Sequence, residues 1–245
     1  MLPFSGVMGV PFILLPGLGA DSGLFSEQKK FFGEQLLTLH WIAPEKNETL
    51  SEYCLRFSTV LMQNISQLGV KEFFLGGFSF GGMAALELAS TLSLSHPGKV
   101  KGVLLISSGR TSKIIRRSFK FQASVGRKVP NTLLKMILEQ QMLQQFVHTE
   151  NLNAELTDRL KTMLNTLDIQ FFKWSLGACA AWNPQERYLS PQLEFPIFEI
   201  QGENDPIIPF STETGVITLR GAKHLIQYTH AQEVNQWLSS ITQNG

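Results

Sequence analysis

Short apolar runs alternate with amphipathic segments along most of the chain. The runs that have the length of buried strands are Phe12–Leu15, Leu37–Ile42, Phe73–Leu75, Val100–Ser107, Ile197–Gln201 and Val216–Leu219. Between most of them apolar residues recur at helical spacing, as in Leu50–Leu68, and such alternation is typical of βαβ units. The pattern predicts an α/β fold, in which a mostly parallel sheet of about six strands is flanked by helices on both faces.

The alternation stops between residues 110 and 188, where no run resembles a strand. The helical patterns in this stretch are roughly Asn131–Val147, Asn153–Leu167 and Gln170–Ala181. An all-helical insertion between two strands of such a sheet is expected to cover the carboxyl ends of the strands, where α/β proteins keep their active sites. The sequence therefore predicts a core domain formed by residues 1–109 and 189–245, with residues 110–188 inserted as a helical lid.

Composition narrows the class of protein without naming an activity. The 245 residues are 43% hydrophobic and 17% charged, which is typical of a globular domain and not of a disordered chain. The formal net charge of +1 gives no argument for nucleic-acid binding. Prolines and glycines interrupt the apolar start of the chain, so it is interpreted as strand and loop rather than as a secretory signal. No apolar run reaches the length of a membrane span.

The two cysteines indicate a reducing compartment. Cys54 falls in an amphipathic helix pattern and Cys179 in an Ala-rich one, without metal or redox spacing between them. Both are expected to be buried thiols in a cytoplasmic protein. The sequence contains no metal-ligand cluster, phosphate loop or dinucleotide fingerprint, so neither a metal nor a cofactor is expected.

The most informative motif is Gly77-Phe78-Ser79-Phe80-Gly81. It matches the G-x-S-x-G nucleophile elbow, a turn so sharp that glycines flank the serine and leave its hydroxyl exposed above the sheet. The pentapeptide alone is common. Here an apolar strand pattern precedes it and a helix pattern follows at Gly82–Thr91, which is the context that the elbow requires. Ser79 is therefore predicted to be a nucleophile.

A serine nucleophile needs a base, and the base needs an acid that orients it. Asp205 follows the strand pattern Ile197–Gln201, and His224 follows the last strand pattern. Both are therefore expected at the sheet edge that carries Ser79. The order Ser79, Asp205, His224 along the chain is one of the known orders of such triads.

Two other residues compete for these roles. Glu203 is a rival acid, but a solvated turn residue is the better explanation of its position. His230 is a rival base, but it falls at the start of the final helix pattern, Ala231–Ile241.

An oxyanion hole is the second requirement, because amide donors must already point at the oxygen that becomes negative. One predicted donor is the N–H of Phe80, and the other is the N–H of Leu18 in the Gly-rich loop Leu15–Asp21. A plain Gly-rich turn is the alternative explanation of this loop. Gly17 and Phe78 are candidate substrate contacts, although packing beneath the elbow would also explain Phe78.

With these motifs the chain resembles the α/β-hydrolase superfamily, and it is most similar to a little-characterised group of small bacterial hydrolases with a PGLGAD loop. The stretches that carry the resemblance span the chain and are LLPGLGADSGLF, GGFSFGGMAALELA, VKGVLLISS, IQGENDPIIP and GAKHLIQYTHAQEVNQWL. The resemblance implies a serine hydrolase but specifies no substrate. Pro16 departs from the pattern, because many relatives have a histidine there. Only about ten residues separate Asp205 from Val216, so the usual crossover helix must be truncated or absent.

The start of the insertion is rich in cations. Residues 110–128 contain no acid, and their basic residues are Arg110, Lys113, Arg116, Arg117, Lys120, Arg127 and Lys128. This segment is either a solvated basic face or a surface that attracts anions. The second interpretation makes Arg116 and Arg117 candidates for binding acyl-CoA or an acyl carrier protein.

The sequence predicts a serine hydrolase that cleaves a small carboxylic ester through an acyl-enzyme. A thioesterase or esterase that acts on acyl groups carried by coenzyme A or acyl carrier protein is the alternative among enzymes. A ligand-binding receptor that kept the fold and lost turnover is the alternative of another class, and the complete triad argues against it.

Overall fold

The structure is a computed structural model that describes residues 9–37, 39–142, 144, 146, 150, 152–184, 187–189, 195–211 and 213–243. The strands are β1 Phe12–Leu15, β2 Leu36–Leu37, β3 Phe73–Phe78, β4 Val100–Ile106, β5 Ile197–Gly202 and β6 Val216–Leu219. They form one sheet of order β2-β1-β3-β4-β5-β6, and every neighbouring pair is parallel. The predicted α/β fold is confirmed, and all strands end at one edge of the sheet.

Helices connect the strands and cover both faces of the sheet. They are α1 Ser26–Phe32, α2 Leu50–Gln67, α3 Phe80–Ser95, α4 Arg117–Gly126, α5 Asn131–Met142, α6 Ala154–Asn165, α7 Ile169–Ala181, α8 Ile226–Thr229 and α9 Ala231–Thr242. Local chemistry starts several of them. Thr49 and Glu52 form a reciprocal capping box at the start of α2, and the Asp168 carboxylate accepts two backbone N–H groups at the start of α7.

Strand β1 shows how the core is divided between the two faces. Ile13 and Leu15 pack with α2 and α3 on one face, whereas Phe12 and Leu14 pack with α8 and α9 on the other. Strands that are buried on both faces read as continuous apolar runs, as this one does. The sheet is thus a rigid central layer whose strand ends can carry a site.

Some predicted boundaries were wrong. The second strand covers Leu36–Leu37, not Leu37–Ile42. The apolar residues Leu39, Trp41 and Ile42 pack against the α2 side of the core and do not pair in the sheet. Helix α5 ends at Met142, and Val147, the predicted end, lies outside the described residues. The short helices α1, α4 and α8 were not predicted.

The described part of residues 110–188 consists of α4 to α7 with connecting turns and contains no strand. Its start is anchored to the sheet, because the Arg110 guanidinium forms an ion pair with the buried carboxylate of Glu199 and donates to the Ile197 carbonyl at 3.1 Å. Between β5 and β6, residues 203–211 and 213–215 form turns without a helix. None of the helices described is long and apolar enough to cross a membrane.

Candidate active site

Ser79 lies on a tight turn between β3 and α3. Its φ is 53° and its ψ is −118°, a combination that non-glycine residues rarely adopt because it is strained. The Ser79 N–H donates to the Ile106 carbonyl at 3.0 Å, and the Gly82 N–H donates to the Ser79 carbonyl at 3.0 Å. The surrounding bonds thus hold Ser79 in the strained strand-to-helix turn that its motif predicts.

The glycines on either side of Ser79 are required by close backbone approach. A Cβ atom at Gly81 would overlap the Leu15 carbonyl oxygen, and one at Gly77 would overlap the backbone of Gly81. Backbone atoms cannot move aside as the end of a flexible side chain can. The missing side chains therefore let the end of β1 pack directly on the turn, which brings the loop after β1 beside Ser79.

Asp205 and His224 form a buried pair at the same edge of the sheet. His224 Nδ1 lies 2.7 Å from Asp205 Oδ2, and the residues are 2% and 7% exposed. The other carboxylate oxygen, Oδ1, accepts the N–H groups of Ile207 at 2.8 Å and Ile208 at 2.9 Å. Asp205 is thus fixed by its own turn and orients the imidazole from one side.

The rival residues lie elsewhere. Glu203 Oε2 accepts the Gly221 N–H at 2.8 Å and so holds the turn that follows β6. His230 contacts the neighbouring Thr229 hydroxyl through Nδ1 at the start of α9. Among the residues described, Asp205 is the acid whose side chain contacts the His224 imidazole.

Phe78 directly precedes Ser79 in the chain and contacts the Asp205–His224 pair. Its ring centroid lies 4.6 Å from that of the His224 imidazole, and a Cβ atom at Gly17 would lie only 2.8 Å from the same phenyl ring. Phe78 is 5% exposed and packs beneath the site, so its predicted substrate contact and that of Gly17 stay predictions. Within the described part of the chain, the Ser79 hydroxyl donates no hydrogen bond to His224.

Two backbone N–H groups near Ser79 are available for an oxyanion. The Ala20 N–H donates to the Gly17 carbonyl at 3.2 Å, which closes a turn around Leu18 with Gly19 at a φ of 71°. Across residues 9–37 and 39–142, neither the Leu18 N–H nor the Phe80 N–H donates to another protein group. The two predicted donors are therefore unused, although their convergence on one oxygen stays a prediction.

Two side chains from the insertion reach His224. The Glu150 Oε1 atom accepts the N–H groups of His224 at 2.9 Å and Leu225 at 3.1 Å. The Phe146 ring stacks against the imidazole at a centroid distance of 6.3 Å and an interplanar angle of 25°. Burial raises the pKa of the Glu150 carboxyl, while the two N–H groups act in the opposite direction. These contacts close the imidazole off from solvent.

Four residues of this site were not predicted from the sequence. Glu150 and Phe146 stand in a helical segment and have no local signal that points to His224. Ser107 and Ser108 did offer a signal, because they directly follow β4 at the edge where Ser79 and the acid–base pair were expected. Ser107 Oγ donates to the His224 carbonyl, and Ser108 Oγ donates to the Ser79 carbonyl.

A small cavity lies between the loop after β1 and the insertion. Its volume is about 220 Å³, and its walls include Pro16, Gly19, Trp41, Met163 and Phe171. A larger concavity, about 1400 Å³, lies on the outer side of α2 and α3 and contains no member of the predicted triad. The smaller cavity adjoins the loop after β1, but its lining also contains no member of the predicted triad.

The predicted cation surface is only partly available. Arg116 and Arg117 are exposed at the start of α4, whereas Arg110 is engaged with Glu199. No contact between described residues connects Arg116 or Arg117 with Ser79, so the role of these two arginines in binding stays a prediction. The described residues also contain no cluster of three or more His, Cys, Asp or Glu side chains that could hold a metal ion.

Comparison with known proteins identifies the family of this fold. A family model described as the alpha/beta hydrolase fold matches residues 10–230. The chain belongs to the α/β-hydrolase family. Solved structures share the fold of this α/β hydrolase at low identity. A thermophilic esterase from Thermogutta terrifontis has a TM-score of 0.75 at 17% identity, with 96% of this chain and 91% of that chain covered.

Two further structures widen the range of activities on this fold. An esterase from Exiguobacterium antarcticum has a TM-score of 0.72 at 16% identity, covering 96% of this α/β hydrolase and 92% of that chain. An enol-lactonase from Burkholderia xenovorans has a TM-score of 0.67 at 16% identity, with coverages of 94% and 90%. No curated protein matches the chain. At these identities the likeness shows the fold alone.

Proposed function

We propose that this α/β hydrolase is a serine esterase that cleaves small carboxylic esters through an acyl-enzyme. The observation that carries the proposal is the buried Asp205–His224 pair, which lies at the same sheet edge as the strained turn of Ser79. A desolvated acid–base pair beside an activated serine is the arrangement that acyl transfer needs.

In the proposed mechanism Ser79 Oγ attacks the acyl carbonyl while His224 Nε2 takes its proton. The N–H groups of Leu18 and Phe80 stabilise the tetrahedral oxyanion. The protonated His224 then gives its proton to the leaving alcohol, and the acyl group remains on Ser79. A water molecule, deprotonated by His224, attacks the acyl-enzyme and releases the acid. Asp205 holds the imidazole in the tautomer that accepts at Nε2.

Residues 110–188 are proposed to act as the lid of this site. Phe172 of α7 lies against the loop that carries the proposed oxyanion donor, 3.4 Å from a Cβ position at Gly19, while Glu150 and Phe146 cover His224. The cavity of about 220 Å³ between lid and loop is smaller than the roughly 300–1,000 Å³ of pockets for drug-sized ligands. If the acyl chain occupies this cavity, which adjoins the loop after β1 but is not lined by Ser79 or His224, a short-chain ester is the favoured substrate.

Labelling with a fluorophosphonate tests the nucleophile and separates an esterase from a non-catalytic receptor. The wild type is expected to be labelled and to hydrolyse p-nitrophenyl butyrate. Ser79→Ala is expected to lose the label and at least about 10³-fold in kcat. Ser95→Ala changes an exposed serine at the far end of α3 and should keep both. Folded wild-type protein that takes no label and turns over no ester would favour the receptor and reject the esterase.

The exposed cations of α4 favour a second candidate, a thioesterase for acyl groups on coenzyme A or acyl carrier protein. Residues 110–128 carry no acidic side chain, and Arg116 and Arg117 are exposed. Neutralising both should raise KM for acyl-CoA and leave p-nitrophenyl ester turnover unchanged, because only the carrier is anionic. Neutralising Lys99 and Lys101 at the opposite end of β4 is the matched control. Equal effects on KM for both substrates would reject the hypothesis that the enzyme acts on carrier-bound acyl groups.

A further inference from the structure

Two adjacent serines after β4 hold the backbone of the proposed nucleophile and of the proposed base. Ser107 Oγ donates to the carbonyl oxygen of His224 at 2.8 Å. Ser108 Oγ donates to the carbonyl oxygen of Ser79, also at 2.8 Å. Both serines are buried, with exposures of 0% and 5%. Neither hydroxyl touches the side chains that would react, so each acts on the position of a peptide unit.

The place of the two serines in the sheet makes them a bridge. Strand β4 lies between β3, which leads into Ser79, and β5, which leads into Asp205. The Ser107 N–H continues the pairing with β5 by donating to the Ile200 carbonyl at 2.9 Å. Because adjacent Cα atoms are separated by a fixed distance of about 3.8 Å, the Ser107–Ser108 dipeptide links the two peptide units at a set spacing.

The backbone of Ser107 adds an independent observation. Its φ is 44°, and the other non-glycine residues with positive φ in the described chain are Asn47 and Ser79. Glycine adopts such a φ at lower cost than serine. A serine that remains in a strained position supplies something that glycine lacks, and the hydroxyl bond to His224 is that contribution.

The first turn of α3 leaves room for the second hydroxyl. A Cβ atom at Gly82 would lie 2.5 Å from Ser108 Oγ. Any side chain at this position would therefore push Ser108 away from the Ser79 carbonyl. The absence of a side chain at Gly82 thus leaves the space that the Ser108 hydroxyl occupies.

We propose that Ser107 and Ser108 are positioning residues that set the spacing between the nucleophile turn and the histidine loop. The inference rests on the proposed esterase function of Ser79 and His224. Misplacement of reacting groups by about 1 Å can cost about 10²-fold in rate. Loss of either hydroxyl is therefore expected to reduce kcat for p-nitrophenyl butyrate about tenfold, which corresponds to one hydrogen bond, with KM changed less than about twofold.

A pair of substitutions at Ser107 separates positioning from stability. Ser107→Ala and Ser107→Gly both remove the hydroxyl, but Gly also relieves the strain at positive φ, so its Tm is expected to exceed that of Ala. Positioning predicts that both lose the same share of kcat. A purely structural role predicts that kcat follows Tm, so Ser107→Gly with wild-type kcat would overturn the proposal.

Ser108→Ala and a control complete the test. The control is Ser58→Ala, which removes another buried serine hydroxyl. This hydroxyl donates to the Leu55 carbonyl of α2 at 2.7 Å, and its loss should leave kcat unchanged. Because both bonds fix one spacing, the Ser107→Gly/Ser108→Ala double variant should lose less than the product of the single losses. If the kcat loss of the double variant instead equals the product of the two single losses, the proposal that both bonds fix one spacing is overturned. Absence of activity in the wild type would instead reject the esterase function, so the two failures are distinguishable.

Discussion

Asp205→Asn is the substitution that the geometry of the site predicts most closely. Asp205 Oδ1 accepts two backbone N–H groups, from Ile207 and Ile208, while Oδ2 faces His224 Nδ1. Asparagine has a single acceptor oxygen and an NH₂ group in place of the second. The amide oxygen is needed at the two backbone donors, so the NH₂ group must face the imidazole.

An NH₂ donor at Nδ1 selects the wrong tautomer of His224. The imidazole then accepts at Nδ1 and carries its proton on Nε2, where it cannot take a proton from Ser79. The reverse orientation of the amide would leave the N–H groups of the half-buried Ile207 and the buried Ile208 without an acceptor, at about 1–3 kcal/mol each. Together this is about 2–6 kcal/mol, or roughly 30- to 10⁴-fold in kcat. The upper end equals the loss of about 10⁴-fold known for the same change in a serine protease.

Steady-state hydrolysis of p-nitrophenyl butyrate measures this loss, and thermal unfolding checks that the fold is intact. The Tm should stay near that of the wild type because both backbone bonds remain. Asp168→Asn is the matched control, since Asp168 also accepts two backbone N–H groups, at the start of α7, but faces no imidazole. Asp205→Asn protein with a wild-type Tm and kcat within tenfold of wild type would refute the assignment of Asp205.

Three further predictions concern buried polar groups. Glu87→Leu should destabilise the protein by about 2 kcal/mol or more, because the Trp182 indole, the Arg187 guanidinium and the Ser51 hydroxyl all lose their acceptor, and adding Trp182→Phe should restore the share of the Tm that is lost at the indole. Burial raises the pKa of Glu150, so its ionisation destabilises the fold, and the Tm advantage of Glu150→Gln should widen as the pH rises above about 4.5. Burial raises the pKa of Cys179 to about 12 and that of Cys54 well above its ordinary value, so Ellman's reagent should titrate neither thiol until the protein unfolds.

Each of these predictions has an outcome that contradicts it. A double variant that is no more stable than Glu87→Leu would show that the indole bond contributes no share of the loss. A Tm difference between wild type and Glu150→Gln that is constant with pH would show that the carboxyl is not desolvated in the fold. Rapid reaction of a thiol at neutral pH in folded protein would show that the two cysteines are not buried.

The sheet and the order of the proposed triad were accessible from sequence because both depend on local pattern. Buried parallel strands are continuous apolar runs, and polar residues that directly follow them lie at one sheet edge. Phe12–Leu15 and Val216–Leu219 were predicted to the residue. Trp41 shows the limit of this approach, since its apolar neighbourhood packs against helices and contributes no strand.

The contacts that position His224 were beyond the reach of local pattern. Glu150 accepts the His224 N–H across 74 positions of sequence, and the Ser107 hydroxyl reaches the His224 carbonyl across 117. Neither residue type nor spacing signals such a pair, because a buried polar side chain is satisfied by whichever backbone group the tertiary fold brings to it. The tertiary structure shows that three separate elements hold His224. Glu150 of the insertion contacts its N–H, Ser107 after β4 its carbonyl, and Asp205 after β5 its ring.

These three attachments also explain why the motifs predict a chemistry but no substrate. The bonds from Ser107 and Asp205 come from the ends of β4 and β5 and are fixed by the sheet that the whole family shares. The third attachment, through Glu150, and the cavity wall that contains Phe171 come from the insertion. Substitutions at Phe171 are therefore expected to change the preferred acyl chain while those at Asp205 change only kcat, so substrate range should be sought by varying the insertion.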